Sequence, residues 1–598
     1  MDGLELLAAA PRGAGRDDRT QTVVAVPLFG NAALVAPLLD ALLESAADFD
    51  RIAGRLILIN DSPGDPDLAA ALERNLPRLR DRIPVSLWTN DSNIGFLRTA
   101  NRALRFARDN GSDVVLLNSD ALPAPGTLAE MRAVAELDPL IGFVSPRSNN
   151  ATICDSPAPA RFRTGDPKLA RRLHKAIEEL LPRVAYAPTA VGFCLYIKHE
   201  ILEEFGFFDE TFGDGYNEEN DLILRANRRG YRAALANHAF AFHVGSASFA
   251  TTAIAPAERD AANALLLNRR HPHFAASVQE YFAGAERLAE HMLAGLVPDA
   301  SGRWRVLFDC EHLTPTHTDS CAFGARMLRA FVGKHGGRYQ CHVAASDEAL
   351  RFHGLDGIQG LVHVAPGSAD REGPYLAAIR LAQPFDHEVL ARLTRSATLS
   401  AFVILDTSAL DRGHLGQPRL PALWQRMLGC ASLLGYASEA TRAAFRSRFF
   451  VPEEMVEFVA MPSIEADEGP TLAPAGDDPS LFRTTSGMPG PRPAAARKDD
   501  STGASREWED AATALADAIE RGRARVTYPA LLTHARNALD VPAFDRSVPR
   551  PSDATPLWRP KTFGYRVWRA APRPIRRQVF RLARTILDYG APPGTDAG

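Results

Sequence analysis

Gly213-Asp214-Gly215-Tyr216-Asn217-Glu218-Glu219-Asn220-Asp221-Leu222-Ile223-Leu224-Arg225 is the stretch on which the reading of this chain turns. Glycines open it, three carboxylates crowd into positions 218 to 221, and an apolar helical pattern with arginine follows. A helix beginning near Asn217 sets Glu218 and Asp221 three apart on one face. It also places all three acids in the first turn, where the positive end of the helix dipole favours them. An N-terminal capping arrangement puts acids in the same place. The stretch alone therefore fits a well-capped surface helix as readily as an acidic site, and its neighbours in the chain must decide.

The chain has 598 residues, too many for one core, and its length suggests about two to four domains. Hydrophobic content of 46% and charged content of 23% are ordinary for a globular protein. A formal net charge of -4 gives no reason to expect nucleic acid as a partner. Six cysteines are scattered without a C-x-x-C pair, which argues against a disulfide framework or a zinc site and for a reducing compartment. Residues 1 to 20 hold no apolar core of signal-peptide length, and no apolar run approaches the roughly 18 residues that span a bilayer. The expectation is a cytoplasmic protein, with peripheral attachment at the inner face of a membrane left open.

From Thr22 onward, apolar β-branched runs alternate with helical patterns. Thr22 to Pro27, Arg55 to Asn60, Val85 to Trp88 and Asp113 to Leu117 read as strands. Helices are expected after Asn31, from about Asp67, and after Phe96. Such alternation implies a mostly parallel sheet covered on both faces, with ligands at the carboxyl ends of the strands. Asp61 and Asp120 both stand just after an apolar run.

These residues carry a resemblance. Ala25-Val26-Pro27 with Asn31, Asn60-Asp61-Ser62, Asn93-x-Gly95-Phe96 with Ala100-Asn101, and Leu116-Leu117-Asn118-Ser119-Asp120 come in the order seen in glycosyltransferase family 2. Val191-Gly192-Phe193-Cys194 resembles that family's acceptor-side strand. Gly206 to Glu210 resembles the approach to its acidic motif, which Glu218-Glu219-Asn220-Asp221 matches, and Phe242-His243-Val244-Gly245-Ser246 resembles its closing histidine segment.

The resemblance implies a GT-A fold, a nucleotide-sugar donor (UDP- or dTDP-linked), a divalent metal, Mg²⁺ or Mn²⁺, and inversion at the anomeric carbon. Pro27, Asp61, Asn93, Gly95, Asn118 and Asp120 would face the donor, and Asp120 and His243 would hold the metal. The family's D-x-D motif stands here as Asn118-Ser119-Asp120, so metal binding rests mainly on Asp120. Glu219 would be the general base and Glu218 would hold an acceptor hydroxyl, the choice between these neighbours staying open. Gly192, Glu218 and Asp221 would line the acceptor side, with Asp221 also spaced to pair with Arg225 one turn on. Arg98 reads equally as a phosphate contact or a solvated helix arginine.

The expected organisation is α/β throughout. A GT-A-like, mostly parallel sheet domain over 21–250 and a helical extension over 251–301 come first. A second Rossmann-like α/β domain over 302–463, a flexible linker over 464–507 and a helical tail over 508–598 follow. Leu307-Phe308-Asp309, Ala382 to Phe385, Leu405-Asp406-Thr407 and Tyr436 to Arg442 resemble the N-terminal half of family 4 glycosyltransferases, of GT-B fold. No nucleotide-binding half follows, so this domain is expected to be non-catalytic. Arginines from Arg566 to Arg584 alternate with apolar residues, a pattern suited to an anionic membrane surface or to docking on another domain.

The leading expectation is a glycosyltransferase adding sugar to a glycan or lipid-linked acceptor in cell-surface glycan synthesis. A non-catalytic glycan or sugar-nucleotide binding scaffold is the alternative. A nucleotidyltransferase would need a Gly-rich, basic signature after the first strand, where Pro27-Leu28-Phe29-Gly30-Asn31 stands instead.

Overall fold

The computed structural model describes residues 21–157, 164–213, 216–245, 256–411, 419–460 and 502–539. Its first part is built on β1 (Thr22–Leu28), β2 (Gly54–Asn60), β3 (Val85–Thr89), β4 (Asp113–Leu117), β5 (Ala121–Pro123), β6 (Ile141–Arg147), β7 (Val184–Ala187), β8 (Cys194–Ile197) and β9 (Arg232–His243). They join in the order β3-β2-β1-β4-β8-β6-β9-β5, with β7 also on β9. The β1 to β4 group is parallel, as is β6 with β9, while β8 runs antiparallel between β4 and β6.

Why these residues form a two-sided sheet is visible in their alternation. Val24, Val26, Leu56, Leu58, Val115 and Leu117 pack on one face against Leu38, Leu42 and Leu72. Val23, Ala25, Ile57, Ile59, Val114 and Leu116 pack on the other against Leu97, Ala100 and Leu104. All of β1 is buried, including Pro27, as expected of a central strand under helices on both sides. Pro27 lies past the last β1–β4 pair at Ala25–Leu116, where its missing amide hydrogen interrupts no ladder on that side.

The second part contains β10 (Trp304–Asp309), β11 (Tyr339–Ala344), β12 (Leu361–Val364), β13 (Tyr375–Arg380), β14 (Ala397–Ile404), β15 (Leu433–Tyr436) and β16 (Val456–Val459). All pairs are parallel, in the order β12-β11-β10-β13-β14-β15-β16. That is a doubly wound sheet whose strand order reverses between β10 and β13. The strand β13 has no counterpart in the sequence reading, yet it is buried throughout beside β10.

The described part of the segment expected as a tail, 508–539, packs on the body. The Thr502–Ala524 helix buries Ala511, Ala512, Leu515, Ala516, Ala518 and Ile519 in the core of the second sheet. The Tyr528–Leu539 helix packs Leu531 and Ala535 against Ala289, Met292 and Leu293 of the Ala285–Leu293 helix. The expected linker falls almost wholly, and the basic arginine-rich segment wholly, outside the described residues. Among the described residues no helix is long and apolar enough to cross a membrane.

Two contacts seam the parts together. Arg147, wholly buried at the end of β6, donates from Nη2 to Glu290 Oε1 at 2.7 Å and from Nε to Asn237 Oδ1 at 2.7 Å. Beyond Glu290, the backbone at Gly295 lies so close to the second sheet that a Cβ there would stand 2.1 Å from the Tyr375 carbonyl oxygen.

Candidate active site

The antiparallel pairing of β5 with β9 sets Ala121 opposite His243, which brings Asp120 to the histidine. Asp120 is buried, at 4% exposure. Its backbone carbonyl accepts from the Val244 amide at 3.0 Å and its Oδ2 from the Gly245 amide at 3.2 Å. The same Oδ2 stands 3.5 Å from His243 Nε2. His243 Nδ1 lies 2.7 Å from the Asn150 carbonyl oxygen. A carbonyl only accepts, so this contact assigns a hydrogen to Nδ1, and Nε2 is the nitrogen that would offer a lone pair to a metal beside Asp120.

Two lone-pair donors this far apart, one with a fixed tautomer, match neighbouring ligands of one hard divalent cation at about 2.1 Å each. Among the described residues no group of three or more His, Cys, Asp or Glu side chains converges as a metal site. Asp120 and His243 would therefore supply two ligands, with phosphate oxygens and water completing the shell.

The segment ahead of β8 touches both His243 and Glu219, through adjacent residues. Phe193 accepts from the Asn118 amide at 2.9 Å, and its ring lies 5.0 Å from the His243 ring. At its neighbour Gly192, an added Cβ would meet Glu219 Cδ at 3.7 Å and Oε1 at 3.8 Å. The Glu219 carboxylate thus lies along bare backbone one residue away from the group that packs on Asn118 and His243. Glu219 is half-buried, whereas Glu218 is 5% exposed. Burial, and then the charge of Glu219, push the Glu218 carboxyl well above the usual carboxylate range. One Glu218 oxygen is buried with no hydrogen-bond partner among the described residues.

The acidic helix, Glu218–Asn227, starts from two consecutive non-glycine residues in the left-handed region, Tyr216 at φ 72° and Asn217 at φ 75°. Such backbone is costly and must be held by its surroundings. Asn220 supplies part of that hold: its Nδ2 donates to Asn217 Oδ1 at 3.1 Å, and its Oδ1 accepts from Thr189 Oγ1 at 2.6 Å.

Asp221 departs from the acceptor-side expectation. It is 1% exposed and accepts from Arg225 Nε at 2.8 Å, from Arg270 Nη1 at 3.3 Å, and contacts His271 Nε2 at 3.0 Å. Although its burial opposes the charge, hydrogen bonds from His271 and Arg225 and the nearby guanidiniums hold its carboxyl below the ordinary value. With both oxygens committed to these cations, Asp221 fastens the helix and presents nothing to an acceptor.

At the end of β2, Asp61 is buried and holds the 90–95 turn that follows β3. Its Oδ1 accepts from Asn90 Nδ2 at 2.7 Å and the Ile94 amide at 2.9 Å, and its Oδ2 from the Gly95 amide at 3.0 Å. Asn93 is exposed and its Oδ1 also accepts from the Gly95 amide, at 2.9 Å. Gly95 takes φ 84°, which this tight turn requires and a side chain would strain. Arg98 pairs at 3.3 Å with Glu210, both exposed, so the phosphate alternative for Arg98 gains no contact here.

Sequence reasoning missed Asn150, Thr189 and His271. Each acts by fixing another residue through one polar contact, and a lone Asn, Thr or His between elements carries no pattern that would mark it.

No protein-family model matches the chain, and no curated protein matches it in sequence. Among solved structures, the mannosyltransferase PcManGT from Pyrobaculum calidifontis, in complex with GDP-Man and Mn²⁺, is similar at 22% identity and a TM-score of 0.29, over 46% of this chain and 63% of that one. GalNAc-T7 with UDP, GalNAc and Mn²⁺ is similar at 12% identity and a TM-score of 0.33, over 46% and 52%. TarS 1–349 of S. aureus is similar at 14% identity and a TM-score of 0.28, over 56% and 90%. The chain thus spans less than two thirds of the length of the first two.

Proposed function

We propose that residues 21–250 form an inverting, metal-dependent glycosyltransferase that moves a sugar from a UDP- or dTDP-sugar to a glycan or lipid-linked acceptor in cell-surface glycan synthesis. Two observations support this reading: Asp120 lies beside His243, and the adjacent residues Gly192 and Phe193 approach the Glu219 carboxylate and the His243 ring respectively. A divalent cation bound at Asp120 and His243 would neutralise the charge that develops on a departing nucleoside diphosphate. Asp61, by folding the 90–95 turn, shapes the donor end of the strands. Glu219 accepts the proton of the acceptor hydroxyl as that oxygen bonds to the anomeric carbon. The bond from that carbon to the diphosphate oxygen breaks on the opposite face, its electron pair leaving with the diphosphate, so configuration inverts.

The position of Glu219 beside a glycine suits this role, because no side chain at residue 192 fills the space where an acceptor hydroxyl must approach. Calorimetric screening of UDP- and dTDP-sugars with Mn²⁺ present identifies the donor. With that donor, Glu219→Gln should lose about 10²–10⁴-fold in turnover while binding the nucleotide sugar nearly as the wild type does. Near-normal turnover by this variant would remove the base assignment. The amide at Asn118 favours a second reading, a binding scaffold without catalysis. Metal-dependent hydrolysis of the donor by the wild type, lost in Asp120→Ala, excludes that reading, and binding without any turnover establishes it.

A further inference from the structure

His243 is held from behind by the loop that follows β6. Asn149 Nδ2 donates to the His243 carbonyl oxygen at 3.1 Å, and Asn149 Oδ1 accepts from the His243 amide at 2.8 Å. The next residue, Asn150, takes the His243 Nδ1 hydrogen on its carbonyl oxygen. Gly245, whose amide binds Asp120, lies so close to this loop that an added Cβ would stand 2.4 Å from Asn150 Nδ2. Two neighbouring asparagines thus fix both the backbone and the ring of His243. A histidine held through its second nitrogen keeps the lone pair of the first in one direction.

The loop is closed on itself and then tied to Arg147. Ser148 donates from its amide to the Cys154 carbonyl oxygen at 2.9 Å and accepts from the Ser156 amide at 2.6 Å. Asp155 Oδ1 accepts from the Ala151 amide, and the Asp155 carbonyl oxygen accepts from Arg147 Nη1 at 3.1 Å. One edge of the guanidinium therefore bears on the residue that closes the loop. Arg147 is wholly buried, and its charge is met by Glu290, itself 2% exposed. Breaking such a buried pair is strongly unfavourable, so the guanidinium keeps its place only where the carboxylate keeps its own. Glu290 rides on the Ala285–Leu293 helix, and two residues on the Met292 carbonyl oxygen accepts from Thr398 Oγ1 of β14 at 2.5 Å. Printed contact by contact, the hold on His243 leads back through Arg147 and Glu290 to the second sheet.

We propose that Glu290 and Arg147 are positioning residues for the metal site, so that the second half of the chain sets the direction of the His243 ring toward a cation shared with Asp120. The inference rests on the reading of Asp120 and His243 as metal ligands. Mn²⁺ is titrated into the full chain, the free ion is measured by EPR, and nitrogen modulation in pulsed spectra reports the histidine contact. The wild type should bind Mn²⁺ with a modulation that disappears in His243→Ala. Asn149→Ala and Glu290→Ala should each weaken binding about tenfold or more, with the modulation reduced. Arg147→Met combined with Glu290→Leu removes the hold while replacing the buried pair by apolar side chains, which folds often tolerate. That double variant should keep the wild-type thermal unfolding midpoint and show the same loss, so it reports on the site even where Glu290→Ala unfolds. Unchanged affinity and modulation in the double variant, with wild-type binding intact, overturns this proposal and leaves the metal site standing. Absence of Mn²⁺ binding by the wild type, or binding unaltered in Asp120→Ala and His243→Ala, removes the metal site and this proposal with it.

Discussion

At the scale of single residues, two adjacent glutamates are set apart by depth alone. Glu219 is half-buried against Gly192, and Glu218 is buried with its carboxyl raised. A carboxyl raised in the folded state binds its proton more tightly there than in the unfolded chain. Its contribution to stability is present at low pH and is lost as pH rises from the ordinary carboxylate value through the folded one. Glu218→Gln, which removes the titration, should therefore gain stability relative to the wild type at pH 8 and gain less at pH 5. A gain of about 1 kcal/mol would read as roughly 2–4 °C in thermal unfolding. The acids themselves were legible from their spacing, but their difference in depth was not, because neighbours in sequence on a helix carry no mark of which one the loop at Gly192 will leave open.

At the scale of elements, the Glu218–Asn227 helix owes its orientation to Asp221, whose partners Arg270 and His271 come from the end of the next helix, Pro256–Arg270, and the residue after it. Removing one member of a buried ion-paired group typically costs about 3–5 kcal/mol. Asp221→Ala should lower the unfolding free energy measured by denaturant titration by an amount in that range, and reduce turnover with it, since the proposed base rides on the same helix. The four strands β1 to β4 were readable to within a residue or two because Val, Ile and Leu dominate them. Two others were not. The residues of β13, Tyr375-Leu-Ala-Ala-Ile-Arg380, include two alanines of weak strand preference, and only pairing with β10 and β14 makes them a strand. β6 ends in Ser145-Pro146-Arg147, which reads as a loop, yet it pairs with β9 across a register shift.

For the whole molecule, each half hides a neutral histidine. Burial drives His174, between β6 and β7, and His342, in β11, down to about 3. A histidine lowered in the folded state takes up its proton on unfolding, so stability is intact above its ordinary value of 6.5 and falls as pH drops from there toward 3. At pH 5 each should cost on the order of 1–2 kcal/mol. Thermal unfolding at pH 7.5 and pH 5 checks this, and His342→Gln should flatten the acid loss of the second half alone. The join between halves is equally testable. Gly295→Ala places a methyl group against the Tyr375 carbonyl and Thr398, and should cost about 1–3 kcal/mol by forcing the connector off the second sheet.

The helices Thr502–Ala524 and Tyr528–Leu539 are fastened to the body by packed apolar surface, the first on the second sheet and the second on the connector. Covalent continuity across 461–501 is then unnecessary for their place in the fold. Two polypeptides co-expressed as separate gene products, divided inside that interval, should purify as one stoichiometric complex. The missing second piece, in turn, should leave the larger one sticky and prone to aggregate.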